Sequence, residues 1–522
     1  MARRSSRPPF GPRRPGIIRL YGERLPRVGR GRTKGLAWST ARRALGAVGG
    51  SEEAPPPPVP TPPHLLWHGV YVLSDWQPPL GGGGQAGNIR ANLLADAPTY
   101  VDGARVQAAW DNLELLDGVV VWNDPLRQNL DQDMADIAVT LGKMIHVTWG
   151  TTSKVKELQA WLQALLPMSE TYVKQDKPPP SLWNLTLGAG FGIVGTSISV
   201  TAPDGNGSFV NGNVDDMIEC VQGPNRGGRL LITARTNSNT VTATVKVAFV
   251  TDTLLGGADG ISEWSIGEWG VLPWSSTYTT YFKRFVKAHT RHYGSLYGDK
   301  IPLMSASGVG GSNEIAITGG PIKGLRSALR IAQGLSVTAD VDDQIFWAYR
   351  AAWLDMVEFF MDLYPDAIIT LVPGTMPLSV GDAGAAISNE LALLWGKRIG
   401  FFASAFSAAK TGFNYQMQQV HQATVVLGGQ TEEPSKTSEP GYPDGDFSEA
   451  NPAYPVRPGR ETVGLGRAID HVAMPLGYRV IFPHGDALGL DDRRGRPGGV
   501  VETNLKARWV LAQTQLKMTK YP

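Results

Sequence analysis

Short apolar segments that alternate with helical segments constrain the fold of this chain more than any other feature of its sequence. The apolar segments predict eight buried β-strands, at 69–73, 104–109, 144–149, 301–307, 367–372, 398–403, 423–427 and 479–482. Segments with the apolar spacing of helices separate or follow them, at 126–141, 278–293, 346–363, 463–475 and 502–517. Because strands that alternate with helices form parallel sheets, eight such repeats predict an α/β fold, a (β/α)8 TIM barrel.

The sequence changes its period between the third and fourth predicted strands. Residues 180–265 alternate apolar and polar side chains, most regularly at 240–247, and contain the turn pairs Asp204-Gly205 and Asn211-Gly212. This pattern is typical of antiparallel strands joined by tight turns. We therefore expect a small all-β domain at 180–265, inserted between a first part of the barrel at 64–179 and a second part at 266–522.

Residues 1–63 predict a disordered basic arm that ends in a proline-rich linker. The first 50 residues contain 12 arginines and Lys34 against one acidic residue, Glu23, which gives a net charge of +12. The tract Pro55–Pro58 favours the extended polyproline II conformation of a semi-rigid spacer. The segment has no periodic apolar pattern, so it is not expected to join the core.

The charge of this arm suits nucleic acid, an acidic protein surface or a membrane face, and it equally suits a solvated tail. A small apolar cluster favours a protein partner over nucleic acid, because a purely electrostatic tail does not need one. Its members are Ile17, Ile18, Leu20, Tyr21 and Trp38.

Composition excludes several classes of protein. Of the 522 residues, 42% are hydrophobic and 18% are charged, as in a globular protein with a large core. Cys220 is the only cysteine, so no internal disulfide forms, and the 8 histidines have no zinc-ligand spacing. We expect no metal and no cofactor. No run of 18 apolar residues predicts a membrane span, and Arg42 and Arg43 interrupt the nearest candidate for a signal peptide.

Two glutamates follow predicted strands at the positions where barrel enzymes carry catalytic groups. Glu314 follows the fourth strand, and Glu432 follows the seventh. In a parallel barrel the loops after the strands converge on one face. Two carboxylates on that face can supply an acid and a nucleophile or base for the cleavage of a sugar. The alternative is that both are solvated loop residues.

Other polar and aromatic residues also follow predicted strands, where groups that bind a sugar would be needed. We expect substrate binding by Asn313, Trp76, Trp110, Asp111, Trp149, Gln430 and His484. Each aromatic ring among them has an alternative role in packing at the rim of the barrel.

The predicted barrel, at about residues 64–520 without the β insert, resembles the clan A glycoside hydrolases. The resemblance rests on Gly103–Val106, Trp110–Glu114, Gly118-Val119, Trp122 and Gly142-Lys143. It implies a (β/α)8 glycosidase in which Glu314 is the acid/base, Glu432 is the nucleophile and Asn313 binds the sugar 2-hydroxyl. This chain departs from the pattern because Gly308–Ser312 separate the fourth strand from Asn313, and because Glu433 stands beside Glu432. The choice between Glu432 and Glu433 stays open.

The predicted β insert is similar to small β modules of tailed-phage virion proteins, through patterns such as Asp215–Ile218 and Arg229–Thr233. This similarity implies a virion-borne protein whose residues 1–63 contact other virion proteins; without it the expected location is the cytoplasm. Two functions follow. One is a retaining glycoside hydrolase that acts on a polysaccharide or glycan. The other is a non-catalytic tail or receptor-binding protein whose barrel binds glycans.

Overall fold

The computed structural model describes most of the chain between Gly69 and Phe406 and selected residues beyond it. The described residues are 69–72, 93–94, 99–174, 184–202, 209–256, 263–309, 314–317, 319–406, 426–431, 478–482, 510, 513, 514 and 516. The predicted basic arm and linker at 1–63 and the predicted helix at 463–475 lie outside them.

The strands are numbered in chain order. They are β1 (Gly69–Val72), β2 (Gly103–Ala109), β3 (Asn123–Asp124), β4 (Gln128–Asn129), β5 (Met144–Gly150), β6 (Thr171–Val173), β7 (Leu185–Leu187), β8 (Ser197–Thr201), β9 (Asp216–Cys220), β10 (Arg229–Arg235), β11 (Thr240–Val247), β12 (Thr253–Leu254), β13 (Trp264–Val271), β14 (Leu303–Ser305), β15 (Glu314–Ile315), β16 (Ile368–Pro373), β17 (Pro377–Leu378), β18 (Gly381–Asp382), β19 (Ile399–Phe406), β20 (Val426–Thr431) and β21 (Tyr478–Phe482).

The α-helices are also numbered in chain order. They are α1 (Trp110–Leu113), α2 (Leu130–Ala135), α3 (Ala160–Leu165), α4 (Ser276–Tyr297), α5 (Gly320–Ala332), α6 (Asp342–Leu363) and α7 (Ala383–Trp395). The sequence predicted α4 and α6 closely, but it gave no prediction of α5 or α7.

Eight parallel strands form a closed barrel. The order around it is β1, β2, β5, β14, β16, β19, β20 and β21, which is also their order in the chain. β21 pairs with β1, and β14 pairs with both β5 and β16, so no edge is left open. The predicted α/β barrel of TIM type is therefore confirmed.

Side chains alternate between the two surfaces of the barrel wall. Those that face outwards, such as Val106, Ile145 and Leu371, pack with the helices in the main hydrophobic core. A separate apolar cluster comes from six different strands, and the closed geometry places it inside the barrel. Its buried members are Tyr71, Leu303, Ile368, Phe402, Val426 and Val480.

The helix expected at 126–141 is shorter than its apolar spacing predicts. Strands β3 and β4 form a small hairpin first, and the side chain of Asn129 then accepts a hydrogen bond from Gln132 N, which caps α2. Because this cap fixes the start of the helix at Leu130, Leu126 remains 83% exposed. A π-helical turn at Asp136–Thr140 follows α2.

An antiparallel sheet occupies the chain between β5 and β14. Its eight strands lie in the order β12, β7, β8, β11, β10, β9, β13 and β6, and run from Thr171 to Val271. It has a hydrophobic cluster of its own, which includes Ile218, Leu230 and Val241. The sheet exceeds the expected limits of 180–265 at both ends. Strand β6 lies before residue 180, β13 ends after residue 265, and these two strands pair with each other.

One part of this sheet packs into the core of the barrel. Met217, Trp269 and Val271 belong to the main core, whereas Ile218 belongs to the cluster of the sheet. Buried Glu219 pairs with Arg229 and accepts a hydrogen bond from Ser327 Oγ of α5 at 3.2 Å. The sheet and α5 are therefore joined by both apolar and polar contacts.

A carboxylate joins the segment before the sheet to the helix that follows the sheet. Glu170 accepts hydrogen bonds from the Ser275 hydroxyl at 2.5 Å, from the Ser276 hydroxyl at 2.8 Å and from Thr277 N at 2.9 Å. A negative charge at a helix N-terminus is stabilising, since the backbone N–H groups there lack partners within the helix. This contact fixes the start of α4 against the segment that leads into β6.

We expect substitution of Gly324 to separate α5 from the sheet. A Cβ atom at this position would lie 2.3 Å from the carbonyl oxygen of Val173, which is rigid backbone. The Gly324→Ala variant should lose about 1–3 kcal/mol in the free energy of unfolding, measured by urea titration.

Gly294→Ala is the matched control for this experiment. Gly294 is an exposed residue of α4, and an added Cβ would approach nothing closer than Thr290 Cγ2 at 3.7 Å. This variant should be stabilised by up to about 1 kcal/mol, because alanine favours the helix. Equal effects of the two substitutions would contradict the packing of α5 described above.

Candidate functional site

A pocket opens at the carboxyl ends of β2 and β5, the end of a parallel barrel at which ligands bind. Its volume is 390 Å³, which lies within the range of small-molecule sites. Its lining comes from residues 107, 109–112, 150–152 and 157–159.

Gly150 keeps the two strand ends close together at this pocket. It pairs with Ala109 at the end of the β2–β5 ladder. A Cβ atom on Gly150 would lie 2.9 Å from the Cα atom of Ala109 and 3.1 Å from Nε2 of Gln107. Glycine therefore allows the close approach and leaves space above it for the pocket.

Two carboxylates line the pocket. Asp111 is an exposed residue at the start of α1, yet the pKa of its carboxyl is raised, first because the surrounding protein removes water from it and also because Glu157 lies nearby. Glu157 ends the 3-10 turn Val155–Glu157. It accepts a hydrogen bond from the Thr152 hydroxyl at 2.8 Å and pairs with Lys154 Nζ at 3.1 Å.

Gln159 forms part of the pocket wall. Its side-chain amide donates to the carbonyl oxygen of Trp110 at 3.0 Å, which fixes its orientation. Gln159 is 7% exposed, and its Oε1 atom has no hydrogen-bond partner within the part of the chain that the structure describes. This atom is itself buried from solvent, so a ligand in the pocket does not reach it in the described geometry.

The interior of the barrel becomes polar towards the same end. Nε2 of His146 lies 3.1 Å from Ser305 Oγ and 2.9 Å from Thr370 Oγ1, and the two hydroxyls lie 2.8 Å apart. His146 is on β5 and Thr370 is on β16, with β14 between them, so the contact crosses the barrel interior. Burial lowers the pKa of His146 well below its usual value, and Arg105 lowers it further, so this imidazole is neutral at physiological pH.

Further hydroxyl groups lie beyond the carboxyl ends of β5 and β14. Thr151 Oγ1 lies 2.9 Å from Ser307 Oγ, which connects the loops that follow β5 and β14. The Tyr278 hydroxyl donates to the carbonyl oxygen of Thr152 at 3.2 Å. Burial raises the pKa of Tyr278, and it remains a neutral donor. These bonds order the loop that carries Thr151 and Thr152 into the pocket.

Trp110 and Trp149 lie in the core. Trp110 is 1% exposed, and its ring lies 5.4 Å from that of Tyr278 and 6.0 Å from that of Phe285. Trp149 is 6% exposed, and its Nε1 atom donates to the carbonyl oxygen of Ser305 at 2.7 Å. Neither ring has a free face on which a sugar could stack, so we assign both to packing between the barrel and its helices.

Glu314 lies at the carboxyl end of the barrel, as its position after the fourth strand predicted. It begins the two-residue strand β15 and pairs in register with Val372, near the end of β16. Its side chain is exposed. Of the remaining predicted site residues, Gln430 belongs to strand β20, whereas Trp76, Asn313, Glu432, Glu433 and His484 lie outside the described residues.

The structure brings together residues that sequence reasoning did not select. Asp111 was predicted, but Glu157, Gln159 and His146 were not. The sequence of β5 did contain a signal for His146. The polar His146 and Thr148 alternate with apolar residues that face the helices, which places the two polar side chains on the interior surface of the barrel wall. Glu157 and Gln159 come from an irregular turn and its exit, which have no recognisable motif.

In comparisons with known proteins, no family model matches the chain and no curated protein is similar to it. Among the described helices, none is long and apolar enough to cross a membrane. Within the same described residues, no three or more His, Cys, Asp or Glu side chains group together as metal ligands would.

His146 should make the folded protein less stable as the pH is lowered. Its pKa is ordinary in the unfolded chain, about 6.5, and is lowered in the folded protein, so the unfolded state binds more protons below that pH. The free energy of unfolding should therefore fall as pH falls below about 6.5. The contribution of this group is about 1.4 kcal/mol for each pH unit until the folded pKa is reached.

Urea titrations at pH 7 and pH 5 measure this effect, and His146→Gln should reduce the difference between them by that contribution. His289→Gln should reduce the difference in the same way. His289 lies on the helical side of the barrel wall, and burial lowers its pKa to about 3. An unchanged pH dependence in both variants would show that the two imidazoles are protonated in the folded protein.

Proposed function

We propose that the barrel binds a polysaccharide or glycan at the carboxyl ends of its strands and hydrolyses it by a retaining mechanism. The observation that supports this most is the pair Asp111 and Glu157 in a ligand-sized pocket, at the end of the barrel on which Glu314 also lies. Acid-catalysed glycoside cleavage needs carboxyl groups arranged around a sugar.

The proposed roles follow the resemblance to clan A hydrolases. Glu314 protonates the oxygen of the leaving group, and Glu432, or Glu433 beside it, attacks the anomeric carbon. Asn313 binds the neighbouring hydroxyl. Water then hydrolyses the glycosyl-enzyme with Glu314 acting as base. Asp111 and the polar groups of the pocket hold the sugar chain on one side of the site.

One observation favours a second function, a virion protein that binds glycans without cleaving them. A catalytic acid is usually partly removed from water so that its proton is retained near neutral pH, but the Glu314 side chain is exposed. On this proposal the barrel is a receptor-binding module of a phage tail. The sheet from Thr171 to Val271 is then an inserted domain that packs against the barrel, and residues 1–63 attach the protein to other virion components.

Turnover of chromogenic glycosides and host polysaccharides distinguishes the two functions. If the protein is a hydrolase, Glu314→Gln should lower kcat by about 10²- to 10⁴-fold, because the proton donor is lost. Glu432→Gln should abolish turnover by removing the nucleophile. Proton NMR of the first product should show the anomeric configuration of the substrate, as a retaining enzyme requires.

Glu358→Gln is the control, because this exposed carboxylate of α6 is not among the residues that line the pocket. Glu433→Gln decides which of the two neighbouring glutamates reacts. Full turnover in Glu314→Gln would disprove its role as the acid. Binding of a glycan by the wild type with no turnover would support the receptor-binding function instead.

A further inference from the structure

We propose that Asn211 is a site of spontaneous deamidation, in which the backbone nitrogen of Gly212 attacks the side-chain amide of Asn211. The pair lies between β8 and β9 of the antiparallel sheet, in the 3-10 turn Asn211–Asn213. This inference is independent of the proposed function, because it concerns the covalent chemistry of the chain and not the barrel mouth.

The reaction needs no reagent except water. The nitrogen of Gly212 forms a bond to Cγ of Asn211, the bond from Cγ to Nδ2 breaks, and the proton that Gly212 N loses leaves with the side-chain nitrogen as ammonia. Water then opens the resulting cyclic imide at either of its carbonyl groups, which yields aspartate or isoaspartate. Either product places a carboxylate where the neutral amide was, and isoaspartate also lengthens the backbone of the turn by one methylene group.

The attacking nitrogen is accessible in the folded protein. Asn211 and Gly212 are both exposed, and Gly212 N donates to no group among the described residues. The first N–H groups of a helical turn have no partner within that turn, which accounts for this. A Cβ atom on Gly212 would meet nothing within 4 Å. Because glycine also rotates most freely about its backbone bonds, this residue hinders ring closure least.

Arg235, at the end of β10, activates the amide that is attacked. Its Nη1 atom donates to Asn211 Oδ1 at 3.3 Å, while its Nε atom donates to the carbonyl oxygen of Phe209 at 2.5 Å and so holds the guanidinium in place. Attack on the amide leaves a negative charge on this Oδ1 atom. A positioned cationic donor stabilises that charge more than it stabilises the neutral amide, so Arg235 lowers the barrier.

The pair Asp117-Gly118 has a similar sequence but a protected geometry. Gly118 N donates to Glu114 Oε1 at 2.9 Å, and the carboxylate of Asp117 pairs with Arg284 Nη1 at 2.6 Å. Both groups that would react are therefore engaged, and a carboxylate is a poorer electrophile than an amide. We expect Asp117 to remain unchanged under conditions in which Asn211 reacts.

Incubation of the full chain at pH 7 and pH 8, followed by peptide mass spectrometry, measures the reaction. Fragment ions separate Asn211 from Asn206, which also precedes a glycine and lies outside the described residues. The modified fraction at Asn211 should grow about tenfold faster at pH 8, because the ionised fraction of the backbone nitrogen rises tenfold for each pH unit below its pKa. Chromatography of the peptides should show both aspartate and isoaspartate.

Two substitutions test the two parts of the mechanism. Gly212→Ala should slow the reaction at least about tenfold, because a Cβ atom hinders ring closure and restricts the backbone. The open space at this position allows that variant to fold. Arg235→Met should also slow the reaction about tenfold, through loss of the donor at Oδ1. Arg291→Met is the matched control, since Arg291 is an exposed residue of α4, and its rate should equal that of the wild type.

The same measurement in concentrated urea separates the role of the folded turn from that of the sequence. Without the contact to Arg235, the wild type and Arg235→Met should react at equal rates. An Asn211 that stays intact at pH 8 would overturn the proposal. So would equal rates of the folded wild type and Arg235→Met, or an unchanged rate in Gly212→Ala, which would exclude attack by the backbone nitrogen.

Discussion

The closed barrel depends on a short strand that is held from both sides. β14 contributes only Leu303–Ser305, yet it pairs with β5 and with β16 and so closes the sheet. Inside the barrel, His146 contacts the hydroxyls of Ser305 and Thr370, which joins the same three strands through their side chains. Because the sheet has no edge, loss of this strand would expose backbone groups on both neighbours. It would also remove the contact between Thr151 and Ser307 that connects the loops after β5 and β14.

The barrel interior changes in character along its strands. Leu303 and Ile368 are apolar, whereas Ser305 and Thr370, two residues later on the same strands, are polar. The change is in the same direction on both strands, so polar groups accumulate towards the carboxyl ends. Polar side chains inside a barrel are costly unless they are hydrogen-bonded, and here Nε2 of the imidazole and the two hydroxyls lie within hydrogen-bond distance of one another. The same end therefore suits a polar ligand, while the opposite end is filled by packing.

The sequence predicted the architecture better than the site. The eight strands were recognisable because each is a short apolar run, and their order in the chain fixes their order in the barrel. The helices α5 and α7 were missed because glycines and prolines at their starts are typical of loops.

The site depends on which face of a strand or turn a residue occupies. Trp110 and Trp149 follow or lie on strands as predicted, but their side chains face the helices. Glu157 and Gln159 reach the pocket through an irregular turn, whose course follows from tertiary contacts with Trp110 and Thr152.

The pairing of the first barrel strand with the last has a consequence for biosynthesis. Gly69 pairs with Val480, so translation must pass Val480 before the ring can close. The antiparallel sheet is complete at Val271, and its eight strands pair with one another between Thr171 and Val271. Such local contacts form early, whereas pairing between distant segments is slow because a long loop must be closed first. On the ribosome the sheet can therefore fold while the barrel is still an open, curved sheet with two exposed edges. Until β21 emerges, those edges are the part of the nascent chain most exposed to aggregation.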